Sequence, residues 1–273
     1  MRAKSKKILS LGYLAFVFLF LYIPIFILIV FSFNASKSKS VWSHFTLDWY
    51  ARLFNNELII KSLWNTLALA LISSLAATLI GTAAAIGIHS MRKAPKAIIM
   101  NVTYLPVLNP EIITGVSFML LFAFIKFEAG FATLVFAHIS FCIPYVILNL
   151  MPKLRQLDRY QYEAALDLGC TPFLAFFKVI LPEIFPGVVS GFLMAFTYSI
   201  DDVVISLFVS GPEMQTLPIT IYSMTRKQIS PEINALSALM FLVVLALLVA
   251  MNVKDMRDAK KREAKYINVN IGG

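Results

Sequence analysis

Three carboxylate side chains lie inside long apolar stretches of this sequence: Glu111 between residues 97 and 125, and Asp201 with Asp202 between residues 184 and 210. An acidic residue at the centre of a membrane helix costs about 2.5–3.5 kcal/mol on insertion scales, so such residues need a reason. No Lys or Arg falls within the predicted spans. We therefore expect these carboxylates to lack a partner in this chain and to face water or a cationic ligand.

Asp201 is the preferred residue for the lining of such a path, because it ends a polar stripe whose members are three or four residues apart. Asp202 lies about 100° away on a neighbouring stripe. Glu111 is a weaker candidate, since it follows Asn109 and Pro110 and could instead cap a helix break. For the aspartates the alternative is helix packing or interface hydrogen bonding. The first stripe comprises Gly187, Ser190, Met194, Thr197 and Asp201, and the second comprises Ser199, Asp202 and Ser206.

A second pattern occupies the loop of residues 152–182, between the fourth and fifth apolar stretches. Asp158 is a candidate N-cap for a short helix that Gly169 would end. Pro172 would begin a second short helix, and Pro182 would end it. The spacing of three and four residues gives the second helix an apolar face of Phe173, Phe176, Phe177 and Ile180.

The first of these two helices is expected to expose a small, mostly apolar patch that has no partner within the chain. This patch comprises Glu163, Ala164, Ala165 and Leu166. An exposed patch of this kind favours a docking surface for another protein. The alternative is an interfacial hairpin that only stiffens the inner surface.

The elements that carry these residues are predicted to be membrane helices. The chain has 273 residues, of which 59% are hydrophobic and 14% charged, with a mean hydropathy of +0.78. A span needs about 20 mostly apolar residues, and continuous apolar runs favour helices over barrels. We therefore predict one all-α membrane domain over residues 1–273, whose first span is retained rather than cleaved as a signal peptide. The six spans lie near 8–33, 63–90, 98–125, 131–151, 184–208 and 235–253.

The distribution of basic residues predicts the orientation of these spans. Most Lys and Arg residues lie on one side of the six-span arrangement, together with both termini, which places the termini in the cytoplasm. The net charge of +9 fits a basic face against anionic lipid, so no nucleic-acid partner is expected. His44, His89 and His138 lie in separate segments and predict no metal site. No phosphate-binding G-x-x-x-x-G-K-[S/T] motif occurs, so nucleotide binding by this chain is not expected.

Two further patterns predict how the spans pack and where the chain meets the headgroups. Residues 34–62 are aromatic and should include a short surface helix near 48–55, and a second outer segment covers residues 209–234. Small residues at intervals of four predict close helix contacts, with ordinary packing as their simplest meaning. They are Ala77, Gly81 and Ala85 in the second span, and Gly187 and Gly191 in the fifth.

The inner loop resembles the E-A-A motif of the permease subunits of binding-protein-dependent ABC importers. The matching residues are Glu163-Ala164-Ala165, Gly169 after three further residues, and Val179-Ile180-Leu181-Pro182 after nine more, with Val179 where the family has Ile. The resemblance implies a type I importer (MetI-like) fold. It also implies that Glu163, Ala164, Ala165, Leu166 and Gly169 couple the chain to a separate ATPase.

Over nearly its whole length the chain also resembles the permeases of spermidine/putrescine importers. The segments that carry this resemblance include Tyr198–Ser206, Ile221–Met224, Asn109–Ile112 and His138–Cys142. It implies a polyamine path, to which we assign Tyr198, Thr197 and Tyr222 beside the acids. On physical grounds, aromatic side chains such as Tyr198, Phe118 or Tyr222 would add cation–π contacts to a polyamine.

The resemblance further implies a non-catalytic subunit of a bacterial inner-membrane complex, without a cofactor of its own. Its expected partners are a second homologous permease, a dimer of ATP-binding subunits that holds ATP and Mg, and an extracytoplasmic polyamine-binding protein. The alternatives are a related permease for another cargo, such as ferric ion or a phosphonate, a self-powered secondary carrier, and a structural subunit without a path.

Overall fold

The computed structural model describes residues 2–36, 41–227, 231–242, 245, 246 and 249, and these residues are overwhelmingly helical, which confirms the predicted all-α class. Residue 1 is not described, and beyond Leu242 the description covers only residues 245, 246 and 249, so part of the predicted sixth span at 235–253 lies outside the described residues. The helices are α1 Arg2–Phe31, α2 Asp48–Asn55, α3 Glu57–Ser90, α4 Lys93–Leu108, α5 Glu111–Phe124, α6 Phe131–Gln156, α7 Arg159–Asp167, α8 Pro172–Ala175, α9 Leu181–Asp201, α10 Val204–Val209, α11 Leu217–Lys227 and α12 Pro231–Leu242.

The chain divides into two compact units, and the single membrane domain over residues 1–273 stays a prediction. The larger unit is Glu57–Ser223, and the smaller one comprises the described residues up to Asn56 and from Met224 onward. The core of the larger unit is formed by α3, α6 and α9, which pack on one another. Small residues allow this close approach. Added Cβ atoms at Gly81 and Gly191 would lie 2.8 and 3.2 Å from Val146 on α6, so the glycine stripes serve packing.

The third predicted span, 98–125, is not a continuous helix. α4 ends at Leu108 and α5 begins at Glu111, and the two helices meet at an angle of 101°. Asn109 and Pro110 occupy the break, where proline has no amide hydrogen to continue the backbone ladder. Within the described residues, four helices are long and apolar enough to span a membrane, or five if this bent pair counts as one span. The count of six stays a prediction.

The predicted stop at Pro182 is wrong, because helical structure runs without interruption from Pro172 to Asp201. A π-helical turn, Phe176–Ile180, joins α8 to α9. Pro182 lies in the first turn of α9, where a missing amide hydrogen costs little. The inner loop also begins later than residue 152, since α6 continues through Pro152 to Gln156.

In the smaller unit, α2 confirms the predicted surface helix near 48–55. The segment before it is held by an isolated antiparallel bridge between Asn34 and Phe45. The Asn34 side chain accepts the amide hydrogens of Ser36 and Ser43 and donates to the carbonyl of Val41. Trp49 was expected at the headgroup level, but it is buried.

The burial of Trp49 has a local cause. Its indole N–H donates to the main-chain carbonyl of Asn34 at 2.8 Å. Trp42, Phe45 and Phe54 remain exposed on this segment, as the sequence predicts. These three side chains, and not Trp49, are therefore the aromatic residues of this segment that are exposed enough to lie at the headgroup level.

Candidate functional site

The two adjacent aspartates lie at a helix end and point to different environments. α9 ends at Asp201, and Asp202 adopts an extended backbone conformation before α10 begins at Val204. The predicted fifth span, 184–208, is therefore broken at this point. Asp201 is exposed, whereas Asp202 is buried, with 8% of its surface accessible.

Asp202 has partners within the chain, so the expectation that both aspartates lack one is wrong for this residue. Its carboxylate accepts the amide hydrogens of Ile205 at 3.1 Å and Ser206 at 2.8 Å, and the Ser206 hydroxyl at 2.7 Å. These are the bonds of a helix N-cap, and they satisfy the first free amides of α10. The imidazole Nε2 of His138, on α6, lies 3.5 Å from the same carboxylate.

Glu111 is the first residue of α5 rather than a mid-span residue, so its carboxylate lies where the helix dipole favours a negative charge. It is exposed. α5 packs on α10 at Gly115, where an added Cβ would lie 2.7 Å from the Phe208 ring. This contact brings Glu111 within electrostatic reach of Asp201 and Asp202. The fold thus gathers all three acids predicted from the sequence.

Two tyrosines whose rings contact each other lie near the acids. The rings of Tyr145 on α6 and Tyr198 on α9 have centroids 4.1 Å apart, and Tyr145 lies within electrostatic reach of Glu111. Tyr198 was predicted, but sequence reasoning missed Tyr145. The signal available was its position in the fourth span, three residues after Cys142 in the segment that carries the family resemblance. Tyr145 is buried and Tyr198 half-buried, so Tyr198 is the one of the two whose ring can contact an organic cation.

The polar stripe on α9 is continuous only in part. Ser190, Met194 and Thr197 are exposed along with Asp201, but Gly187 is buried against Leu150 and Lys153 of α6 and does not belong to the exposed line. Thr197 donates its hydroxyl hydrogen to the carbonyl of Leu193. Tyr222 lies exposed on α11. The assignment of Thr197, Tyr198 and Tyr222 to a substrate path stays a prediction.

The inner loop forms the first predicted short helix, α7, whereas the second begins as predicted at Pro172 and continues into α9. The Asp158 carboxylate caps α7 by accepting the amide hydrogen of Tyr160 at 3.0 Å. Gly169 ends that helix with φ +86°, a left-handed conformation that disfavours other residues. Thr171 caps α8 through the amide of Leu174.

The surface that this hairpin presents differs from the predicted patch. Glu163 and Ala164 are exposed, but Ala165 is buried and Leu166 half-buried. The apolar exposure comes mainly from Leu168, 86% accessible, and Phe173, 73% accessible. Sequence reasoning missed Leu168, whose signal was its position beside Gly169 at the helix end. The contact of residues 163–166 and Gly169 with an ATPase stays a prediction.

The described residues contain no group of three or more His, Cys, Asp or Glu side chains that could hold a metal ion.

In sequence, residues 77–262 match the family described as the binding-protein-dependent transport system inner membrane component. The chain is 37% identical over 209 residues to the spermidine/putrescine transport system permease protein PotC of Escherichia coli K12, covering 77% of this chain and 79% of that one. It is 38% identical over 208 residues to the putrescine transport system permease protein PotI of the same strain, covering 73% and 74%.

Solved structures resemble the chain in fold. A bacterial ABC transporter involved in the import of the acidic polysaccharide alginate matches with a TM-score of 0.71 at 12% identity, over 92% of this chain and 96% of that one. The MetNI methionine ABC transporter, in an inward-facing conformation, matches with a TM-score of 0.56 at 20% identity, over 71% and 92%. These likenesses confirm the predicted fold class.

Proposed function

Since the chain belongs to the family of binding-protein-dependent transport system inner membrane components, we propose that it is the permease subunit of an ATP-driven importer whose cargo is a polyamine, spermidine or putrescine. It is a multi-pass protein of the inner membrane. The family assignment removes the self-powered carrier from the alternatives. The identity of the cargo needs separate support.

The observation that carries the polyamine proposal is the exposure of the Glu111 and Asp201 carboxylates near the half-buried ring of Tyr198. A polyamine carries several positive charges, and its desolvation in the membrane is costly unless carboxylates offset it. The half-buried ring of Tyr198 adds cation–π attraction to the ammonium groups. The names of the relatives, which refer to spermidine and putrescine, support the same cargo class.

The test is uptake of labelled spermidine and putrescine by cells that carry the assembled transporter. We expect Asp201→Asn to lower the uptake rate at least ten-fold, because one of the two exposed charges is lost, while the amount of assembled transporter is unchanged. The matched control is Glu128→Gln, which neutralises an exposed carboxylate in the loop between α5 and α6. Wild-type uptake kinetics in Asp201→Asn would reject the cargo role of this residue.

We further propose that the α7–α8 hairpin couples this chain to a separate ATPase by direct contact. The residues assigned to this contact are Glu163, Ala164, Ala165, Leu166 and Gly169. The exposure of Glu163, Ala164 and Leu168 supports this role, since exposed apolar residues on a short helix suit a docking cleft. In this arrangement ATP and Mg bind to the partner, and this chain contributes no catalytic residue. The hairpin continues through the π-helical turn into α9, whose other end carries Asp201.

The proposed assembly contains a second homologous permease, a dimer of ATP-binding subunits and an extracytoplasmic polyamine-binding protein. Both termini of this chain are proposed to lie in the cytoplasm, in accord with the distribution of basic residues. Purification of the tagged chain in mild detergent tests the assembly. Recovery without any ATPase subunit would contradict it.

A further inference from the structure

A buried hydrogen-bond network joins four helices at the point where α9 ends. Its centre is His138, which is 1% exposed. Nδ1 of the ring lies 2.8 Å from the Ser199 hydroxyl on α9, and Nε2 lies 3.1 Å from the Ser206 hydroxyl on α10. Ser199 in turn contacts the hydroxyl of Ser73, on α3, at 3.0 Å. Each serine hydroxyl has one hydrogen to donate, so the direction of every bond can be worked out.

On the Nδ1 side, each hydroxyl group donates its hydrogen in the direction that leads away from the ring. The Ser73 oxygen lies 2.6 Å from the carbonyl of Leu69, and a carbonyl has no hydrogen, so Ser73 donates to it. Ser73 must then accept from Ser199. The single hydroxyl hydrogen of Ser199 is thereby used, so Nδ1 of His138 has to donate to Ser199.

The Nε2 side gives the same result. The Ser206 hydroxyl donates to the Asp202 carboxylate at 2.7 Å, so Ser206 has no hydrogen left for the ring. Nε2 of His138 therefore donates to Ser206. If the proton were on Asp202 instead of the ring, Asp202 would donate to Ser206 and Ser206 would donate to Nε2. A carboxylic acid is a stronger acid than an imidazolium. The Asp202 carboxylate also accepts two amide hydrogens already, so the proton belongs on the ring.

We propose that His138 is an imidazolium, protonated at both nitrogens, and that it acts as a positioning residue through a buried ion pair with Asp202. The 3.5 Å separation of Nε2 from the Asp202 carboxylate fits such a pair, since burial strengthens the attraction between opposite charges. Asp202 ends α9 and caps α10, so the pair fixes the break that leaves Asp201 exposed.

This arrangement has a consequence for the cargo, which rests on the proposed function. The charge of Asp202 is neutralised within the chain, and two net negative charges remain nearby, on Glu111 and Asp201. Within the described part of the chain, Glu111 lies within electrostatic reach of both Asp201 and Asp202. The cargo therefore meets two carboxylates, and Asp202 belongs to the scaffold that holds them.

The experiment is solid-state ¹⁵N NMR at neutral pH of the assembled transporter in lipid, with labelled histidine. Only this chain carries the label, its partners being added unlabelled; His44→Gln and His89→Gln then leave His138 as the single labelled histidine, and the wild-type chain checks that its signals are unchanged. We expect two protonated ring nitrogens. One protonated and one bare nitrogen would overturn the proposal.

Substitution of the partner tests the ion pair itself. In Asp202→Asn we expect His138 to lose its second proton, and a ring that remains doubly protonated would contradict the pairing. We also expect His138→Gln and Asp202→Asn each to lower the yield of folded transporter about three-fold or more, and the double variant to recover it. Additive losses in the double variant would contradict the pair. These readouts need no cargo, so their failure is distinct from failure of the polyamine proposal.

Discussion

Gly81 on α3 allows us to predict the cost of one methyl group at a helix crossing. An added Cβ at Gly81 would lie 2.8 Å from both Cβ and Cγ1 of Val146 on α6, and 3.3 Å from the carbonyl oxygen of Ile143. Real Cβ atoms do not approach so closely, and these neighbours belong to a buried helix. The two helices must therefore separate, or Val146 must leave its preferred rotamer.

The magnitude follows by comparison with Gly87, which lies on the same helix and whose added Cβ would meet nothing within 4 Å. Both Gly→Ala changes gain about 1 kcal/mol of helix propensity. Gly81→Ala alone incurs an overpacking cost of about 1–3 kcal/mol. We therefore expect Gly81→Ala to be less stable than Gly87→Ala by about 1–3 kcal/mol.

The assay is the apparent melting temperature of the assembled transporter in mild detergent, followed by size-exclusion chromatography after heating. In proteins of this size 1 kcal/mol corresponds to about 2–4 °C, so Gly81→Ala should melt about 2–12 °C below Gly87→Ala. Addition of Val146→Ala, which removes Cγ1, should recover part of the difference. Equal melting temperatures for the two alanine variants would refute the reasoning from this crossing.

Three further predictions concern local structure. Gly169→Ala should weaken the α7–α8 turn by about 1 kcal/mol, because φ of Gly169 is +86°. It should also lower the amount of cargo taken up per ATP hydrolysed. An unchanged ratio of uptake to hydrolysis would contradict the coupling role. Asp158→Ala should remove the cap on Tyr160 and destabilise α7 by about 1 kcal/mol, seen as faster amide hydrogen exchange in its first turn than in Asp158→Asn. Gly211→Ala should lower the folded yield sharply, because Gly211 has φ +69° and an added Cβ would lie 2.5 Å from the carbonyl oxygen of Ala129. A wild-type yield would contradict this and show that the loop can shift.

The sequence predicts the helical class, the surface helix α2 and the caps of the inner hairpin, because each depends on neighbours within a few residues. Asp158 and Gly169 act through their own turns, and a window of ten residues contains the whole cause. Apolar runs likewise identify spans without knowledge of what packs against them. Such features can be predicted with no knowledge of the tertiary fold.

The environment of Asp202 could not be predicted in this way. Its contact with His138 joins residues on two different helices, and the intervening chain gives no periodic signal for it. The break after Asp201 contains neither Gly nor Pro, so the usual markers of a helix end are missing. Pro182 shows the opposite error, since the sequence contains a breaker at a position where the first helical turn accepts it.

The uninterrupted helical segment from Pro172 to Asp201 connects the hairpin end of the chain with the exposed Asp201 carboxylate. Its 30 residues make it about 45 Å long at 1.5 Å per residue. If the segment turned as one body by about 5° around the hairpin end, Asp201 would be displaced by about 4 Å, which is the reach of a carboxylate–ammonium contact. A small tilt at the hairpin end would therefore be enough to make or break the proposed contact between Asp201 and a cation.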